Sequence, residues 1–380
     1  MTFLLFWLLV GLQSLACLYY LFTLYAARRC FRATAPQPAY YPPVTLLKPL
    51  KGASAELYDH LASFCRLQYP TVQMLCGVRE PGDPAIAVVQ RLQQDFPHRE
   101  IVLVVNPEVI GSNYKVSTLH NLSRLAKHDI LVITDSDVVV EPDYLHRIIP
   151  PLADAQTGLV TCPYRGGTRW PFFAMLESLL INTGFASMIL VASQVEKTTY
   201  AFGATMAVKR QALDKIGGFA ALADYLADDY YLGNLIARTG DTVKIVPYVV
   251  ETHPGVTSFR ELLHHQLRWA RTQRLCRSGG YFGTLVIYGM VWALAGLLLF
   301  PASTAMWQLA LATIGLRLYS TLVMSDVFLQ ATMTRHVLWL VPLTDILSFV
   351  IWCLSLRGDT VRWGEYQFRV GRDGKMTRVG

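Results

Sequence analysis

Charge is scarce in this chain. Of its 380 residues, 16% are Asp, Glu, Lys or Arg, while 53% are hydrophobic. That balance is too apolar for an ordinary soluble enzyme. No Cys-x-x-Cys pair occurs. The seven cysteines (Cys17, Cys30, Cys65, Cys76, Cys162, Cys276 and Cys353) are odd in number, and they read as reduced, mostly structural thiols of a cytoplasmic domain. No G-x-G-x-x-G follows the first expected strand and no G-x-x-x-x-G-K-[ST] occurs anywhere. A classical dinucleotide fold and a P-loop ATPase are therefore unsupported. There is no internal repeat and no low-complexity tract.

The apolar excess lies at the two ends. Met1–Tyr25 is almost free of charge and long enough to span a bilayer. Arg28, Arg29 and Arg32 follow it, whereas a secretory signal carries its charges first. Residues 1–27 thus read as an anchor that leaves the next domain in the cytoplasm. Pro36, Pro38, Pro42 and Pro43 make a short linker. Residues 281–356 hold three further candidate spans: Tyr281–Phe300, ended by Pro301; Ala302–Met324, carrying Arg317; and His336–Ser355, carrying Asp345. Charges at such depth face protein or a polar cavity. Arg268, Arg271, Arg274 and Arg277 precede these spans, and a basic tail over 357–380 follows them. Three full crossings would put that tail outside, against the positive-inside rule, so one of the last segments is expected to be re-entrant or interfacial. The net charge of +7 raises the question of nucleic acid. The arginines cluster beside membrane segments instead, so anionic lipid headgroups are the expected partner and nucleic acid is not.

Residues 40–257 form the expected cytoplasmic domain. Strands are predicted at Val44–Leu47, Val72–Val78, Ile101–Val105 and Ile130–Thr134, alternating with helices at Glu56–Leu67, Pro84–Phe96 and Lys115–Lys127. This order predicts an α/β fold with a mostly parallel sheet and flanking helices. Phe172–Ala192 is apolar but contains Glu177 and Asn182. It reads either as an amphipathic helix on the membrane surface or as a buried domain helix.

Four places carry candidate chemistry. Asp135-Ser136-Asp137 ends an apolar strand, where open α/β sheets bind ligands. Carboxylates suit Mg²⁺ or Mn²⁺, and such a metal commonly bridges protein and substrate phosphates; a surface turn reads the same way. Asp83 follows the second strand, where a carboxylate can accept hydrogen bonds from a uracil ring or a ribose; turns also favour Asp. Asp228-Asp229 is a pair whose repulsion raises the proton affinity of one member, fitting it as a general base; an acidic helix start is equally satisfied by the helix dipole. In His264-His-Gln-Leu-Arg-Trp-Ala-Arg271, His265, Arg268 and Trp269 share a helix face. There an arginine can neutralise a departing diphosphate and the indole can line an acceptor channel; a basic interfacial helix (258–280) before a span is the plainer account.

Taken together, Val44-Thr-Leu-Leu-Lys-Pro-Leu-Lys-Gly52, Asp83-Pro-Ala-Ile86, Asp135-Ser-Asp137, Ala227-Asp-Asp-Tyr230 and Arg268-Trp269 resemble, in order, the ceramide-glucosyltransferase-like enzymes. That family has a GT-A fold and a "D, D, D, Q/R-x-x-R-W" signature. The resemblance runs through nearly the whole chain, and its bacterial branch includes hopanoid (bacteriohopanetetrol) glycosyltransferases. It implies a membrane-bound, inverting transfer of one hexose from a UDP-sugar to a lipid hydroxyl, with a divalent cation. Asp83 would serve the uridine, Asp135 and Asp137 the ribose and metal, Lys115 the nucleotide or diphosphate, and Asp229 the base. Arg268 and Trp269 would form the late motif. Lys48, in the Lys-Pro-Leu-Lys-Gly stretch, joins the donor-binding set. His265 replaces the Gln or Arg of the signature. His253 is either an added metal ligand or a satisfied loop histidine. A processive polysaccharide synthase and a non-catalytic lipid-binding scaffold are the competing readings.

Overall fold

The computed structural model describes residues 2–32, 39–168, 170–364 and 366–379. The linker residues Pro36 and Pro38 lie outside the described residues; Pro42 and Pro43 lead directly into β1 (Val44–Pro49). The central sheet adds β2 (Val72–Val78), β3 (Glu100–Val105) and β4 (Ile130–Ile133). Beyond the short β5 (Val138–Val139) come β6 (Thr157–Thr161), β7 (Tyr164–Gly166), β8 (Met206–Lys209), β9 (Thr242–Ile245) and β10 (Val250–Thr252). Seven of these make one sheet in the order β3-β2-β1-β4-β8-β6-β9. The β1–β2, β2–β3, β1–β4 and β6–β9 pairs are parallel, and β8 runs against both β4 and β6. This is the expected α/β architecture with a mostly parallel sheet.

Both faces of the sheet are covered, so its central strands are mostly apolar. The two-residue period sorts them. Val44, Leu46, Ile130 and Val132 enter one core cluster, while Leu47, Leu131 and Ile133 enter the other. β5, β7 and β10 form a second, three-stranded sheet beside the carboxyl end of β4.

The segment read from sequence only as a basic tail folds. β11 (Thr360–Trp363), β12 (Tyr366–Val370) and β13 (Met376–Arg378) form an antiparallel sheet. Its apolar side (Val361, Phe368, Val370, Met376) packs on Leu226 of the domain. Backbone bonds from Leu226 to Gly374 and from Met376 to Asp224 stitch the two together.

Among the described residues four helices are long and apolar enough to cross a membrane: Thr2–Arg32, Phe172–Val195, Thr304–Phe328 and Leu338–Ser355; the pair Ser278–Ile287 and Gly289–Leu299, bent by 52°, counts as a fifth if taken as one span. The expected single helix over Tyr281–Phe300 is thus broken at Tyr288. Along Thr2–Arg32, contacts climb in order. Phe6 meets Phe300, Gln13 meets Met306, Cys17 meets Thr313, and Ala26 and Ala27 pack with Met324. Gly289–Leu299 therefore runs away from the domain and Thr304–Phe328 returns.

Phe172–Val195 is mostly buried, so the buried-helix alternative holds for much of its surface. Asn182 explains part of this: its amide bonds both N and O of Gly166 at 2.8 and 3.0 Å. Two of the buried charges among the apolar helices, Arg317 and Asp345, satisfy one another. The Arg317 guanidinium donates to both oxygens of Asp345 (2.9 and 2.6 Å) and to the Thr183 carbonyl (3.1 Å). One arginine so ties three helices, including the π-helical turn Ile181–Phe185. Breaking a buried pair on one side costs about 3–5 kcal/mol, whereas replacing both partners costs far less. Arg317→Leu and Asp345→Leu are each expected to lower the thermal unfolding midpoint in detergent more than the double substitution does. A double variant weaker than both singles would contradict this.

Candidate functional site

The site is built at the carboxyl edge of β4. Asp135 leaves the sheet there, and the helix Tyr114–Ser123 approaches from the side. The Asn113 side chain caps that helix through Val116 N (3.0 Å) and donates to the Tyr225 carbonyl (2.8 Å). Ser112 N donates to Asp224 (2.9 Å), and Gly111 sits so close to Ala223 that a Cβ would fall 2.6 Å from its carbonyl oxygen. The segment 111–113 is therefore sewn to 223–225, just before the helix Asp228–Arg238.

That stitching sets Lys115 between three acids. Its ammonium lies 2.7 Å from Asp135 and 3.4 Å from Asp228. Burial alone would depress the Lys115 pKa, but Asp135, Asp228 and Asp229 outweigh it and keep the group charged. Asp229 receives hydrogen bonds from Gly203 N and Tyr230 N, both 2.8 Å. Burial, then the charge of Asp228, pushes its carboxyl up to about 6 despite Lys115. A base that titrates just below neutrality is suited to taking a hydroxyl proton.

Gly203 was not singled out in the sequence. It forms the floor between the acids: a Cβ there would stand 3.2 Å from Asp135 and 3.3 Å from Asp229. Nothing in the local sequence marks it, because its role depends on a turn that only the fold brings to Asp135.

Asp137 is one strand-step away and half-buried. Thr252 donates to it at 2.7 Å, and its backbone carbonyl accepts from His253 N at 2.9 Å. Burial and the Asp135 charge raise its pKa. Two carboxylates drawn together in this way fit a divalent cation shared with a diphosphate, which needs only one or two protein ligands. Among the described residues no group of three or more His, Cys, Asp or Glu side chains is placed to hold a metal alone. His253 does not add to the set: its two ring nitrogens already meet Glu251 (2.8 Å) and His60 (3.1 Å), as the satisfied-loop alternative has it.

Two other residues sit apart from the cluster. Lys48 is fully buried beneath the acidic turn, bonded to the Asp135 carbonyl at 3.1 Å and lying over the Phe64 ring. Burial pushes its pKa down to about 7. It braces the turn from below, with no surface left to touch a donor. Asp83 accepts from Gly52 N and Ala85 N, pinning the left-handed Gly52 (φ 72°) after β1.

The late-motif helix, Phe259–Cys276, splits its residues by task. Arg271 and Arg274 bond carbonyls of the 356–360 segment. Arg268 lies between Trp363 of β11 and the acids of the site. Burial lowers its pKa, and Glu177, Asp229, Asp135 and Asp228 pull against that change. Its Nε is buried without a hydrogen-bond partner. His265 stacks on Trp269 and meets Glu177 at 3.1 Å; Gln266 donates to the same Glu177 oxygen, at 3.1 Å. Glu177 is fully buried with its second oxygen unpartnered, a feature visible in sequence only as a polar break in an apolar run. Trp269 lines an apolar cleft with Leu180, Phe185, Tyr281, Tyr288 and Trp352.

Removing the lysine would leave three acids facing one another. Lys115→Met is expected to destabilise the fold by about 2 kcal/mol or more at pH 8. The loss should shrink as pH falls below about 6, where Asp229 takes up a proton. Thermal unfolding at the two pH values checks this, and a pH-independent loss would contradict it.

Comparison with known proteins gives the same picture. Ceramide glucosyltransferase 1 of Caenorhabditis elegans is 27% identical over 234 residues, 61% of this chain and 48% of that protein. Ceramide glucosyltransferase 3 of the same organism is 24% identical over 266 residues, 69% of this chain and 58% of that protein. The chain thus spans about half the length of these curated relatives. A mannosyltransferase from Pyrobaculum calidifontis, solved with GDP-Man and Mn²⁺, aligns over 92% of this chain and all of its own with a TM-score of 0.55 at 20% identity, a likeness of GT-A-like fold. The profile of Glycosyl transferase family 21 matches residues 8–376, and the chain belongs to that family of sugar-transferring enzymes.

Proposed function

We propose that this protein transfers a single hexose, N-acetylglucosamine or glucose, from a UDP-sugar to a hydroxyl of a membrane lipid, with inversion. The observation that carries this is the position of Asp229. It is a carboxylate held near pH 6, in the Lys115 cluster and facing Arg268, on a helix whose Trp269 opens into an apolar cleft. Family membership and the names of the relatives support the reaction class.

In this reading Asp229 accepts the proton of the acceptor hydroxyl. The hydroxyl oxygen attacks the anomeric carbon from the face opposite the diphosphate, and the bond to the β-phosphate oxygen breaks. Arg268, lacking a partner at Nε, receives the negative charge of the departing UDP. Asp135 and Asp137 would hold a divalent cation, which when bound offsets diphosphate charge. Asp83 and the loop it pins would border the uridine. The cleft beside Trp269 admits the acceptor's reacting end from the apolar side.

Three spans cross the membrane in this reading. Thr2–Arg32 is one; the bent pair of Ser278–Ile287 and Gly289–Leu299 goes out and Thr304–Phe328 returns. Phe172–Val195 and Leu338–Ser355 stay on the domain side, because both ends of each are tied to it. Leu338–Ser355, for instance, follows Leu329, whose carbonyl binds Arg165, and precedes Leu356, whose carbonyl binds Arg274. The tail then lies with the catalytic domain, in the cytoplasm, and the positive-inside rule is kept. Anionic headgroups would meet Arg28, Arg29 and Arg32 at that face.

The proposed acceptor is a hopanoid polyol such as bacteriohopanetetrol. That choice rests on the resemblance alone, through the full Asp-Ser-Asp and the His265-x-x-Arg268-Trp269 variant. Ceramide, supported by the names of the relatives, is the alternative. The test supplies purified enzyme with UDP-glucose or UDP-N-acetylglucosamine, Mn²⁺ and each lipid in turn. Glycosylated lipid should form and should disappear in excess chelator. Transfer to ceramide but not to bacteriohopanetetrol would overturn the hopanoid choice, and transfer only to water-soluble acceptors would overturn the lipid reading.

Asp229→Asn is expected to cut turnover by about 10²–10⁴-fold while UDP-sugar binding is kept. In the wild type, turnover should fall as pH drops through about 6, because Asp229 is protonated below its pKa. An Asn variant with half of normal turnover would remove the base role.

A further inference from the structure

The folded tail reaches the donor side of the cleft. Trp363, Gly364 and Tyr366, where β11 and β12 meet, lie over the carboxyl ends of β1 and β2, the edge at which parallel α/β sheets bind ligands. Trp363 lies against the Arg268 guanidinium, 5.9 Å from ring centre to carbon. A Cβ on Gly364 would stand 3.8 Å from the Lys51 ammonium. Tyr366 meets Tyr114 edge to face at 5.5 Å. Tyr114 neighbours Lys115, and its other contact is the Arg79 guanidinium at 4.1 Å. Lys51 and Arg378 lie 6.0 and 4.1 Å from the Tyr366 ring.

Two aromatic rings and three cations thus collect at one place, drawn from the loop after β1, the loop after β2, the start of the Lys115 helix, and the tail. Solvated tails do not do this unaided. The hairpin is fixed by Arg271 and Arg274, which donate to carbonyls of Thr360, Arg357, Leu356 and Gly358. Tyr231 donates to the Asp373 carbonyl at 2.9 Å. The tail also bonds the 224–226 segment that holds Ser112 and Asn113 beside Lys115. Its position is therefore mechanically continuous with the acidic cluster.

We propose that the C-terminal hairpin is the outer wall of the donor site, in which the Tyr366–Tyr114 pair lies along one side of the base of a nucleoside diphosphate while Lys51, Arg79 and Arg378 face its phosphates. This rests on the donor reading given above and adds a binding element from the far end of the chain. Rings beside a base bind it by stacking, whatever the sugar attached, and cations beside the phosphates add charge-assisted bonds.

The test uses the full chain in detergent with Mn²⁺ and UDP as the probe, titrated by calorimetry. Tyr366→Ala should weaken UDP binding by about tenfold or more, while Tyr366→Phe, which keeps the ring, should stay within about twofold. The acceptor KM should not move in either. Hydrogen exchange on the wild type gives a reading that does not depend on a variant folding: UDP should slow exchange across residues 360–370. Unchanged UDP affinity in Tyr366→Ala, or UDP binding with no protection of 360–370, overturns the hairpin's role. A wild type that binds no UDP overturns the donor reading itself, and the wall with it.

Discussion

A single ammonium group holds the centre of this molecule together. Lys115 stands between Asp135, at the end of β4, and Asp228, at the start of a helix almost a hundred residues later. Without that cation, three acids at one sheet edge would repel and the edge would take up protons to survive. With it, Asp229 is held at about 6, raised by burial and by the Asp228 charge against the pull of Lys115. The same lysine explains why the loop 111–113 must be sewn so closely to 223–225. A shift of an ångström would exchange a 2.7 Å contact for open space.

Much of the site was legible because it sits where strand patterns end. Asp135-Ser136-Asp137 follows four apolar residues, and Asp228-Asp229 opens a helix. The alternation that sends Leu131 and Ile133 to one core and Ile130 and Val132 to the other is a local property of the chain. What was not legible is depth. Lys48 belongs to the most distinctive stretch of the sequence, yet it lies wholly under the site, because both faces of the sheet are covered and its ammonium is bonded to the Asp135 carbonyl. Gly203 and Glu177 matter through what surrounds them, and no spacing rule reaches that far.

The apolar helices teach a related lesson. Hydropathy measures transfer out of water and does not say whether lipid or protein receives the side chain. Phe172–Val195 and Leu338–Ser355 pass the same length and composition test as Thr304–Phe328. Only Phe172–Val195 is mostly buried in protein, and the Asn182 amide on Gly166 is one of the polar contacts that hold it there. In the tail a signal was present in the sequence. Thr360-Val-Arg-Trp and Tyr366-Gln-Phe-Arg-Val alternate apolar and polar residues about a turn, but the arginines drew attention to charge and away from period.

Arg317 and Asp345 connect this membrane-side architecture to the chemistry. Their pair reaches the Thr183 carbonyl, inside the π-helical turn of Phe172–Val195. A π turn inserts one extra residue and so rotates the face that follows relative to the face before it. Glu177, before the turn, meets His265 and Gln266 on the late-motif helix. Gly184 and Phe185, within it, line the cleft beside Trp269. Glu177, Gly184 and Phe185 follow the 3–4 spacing of one helix face, so both sets meet the same neighbour. The buried ion pair thereby fixes the wall along which an acceptor would approach Asp229. That gives a physical reason for keeping two charges among apolar helices, where two hydrophobic residues would fill the space at less cost.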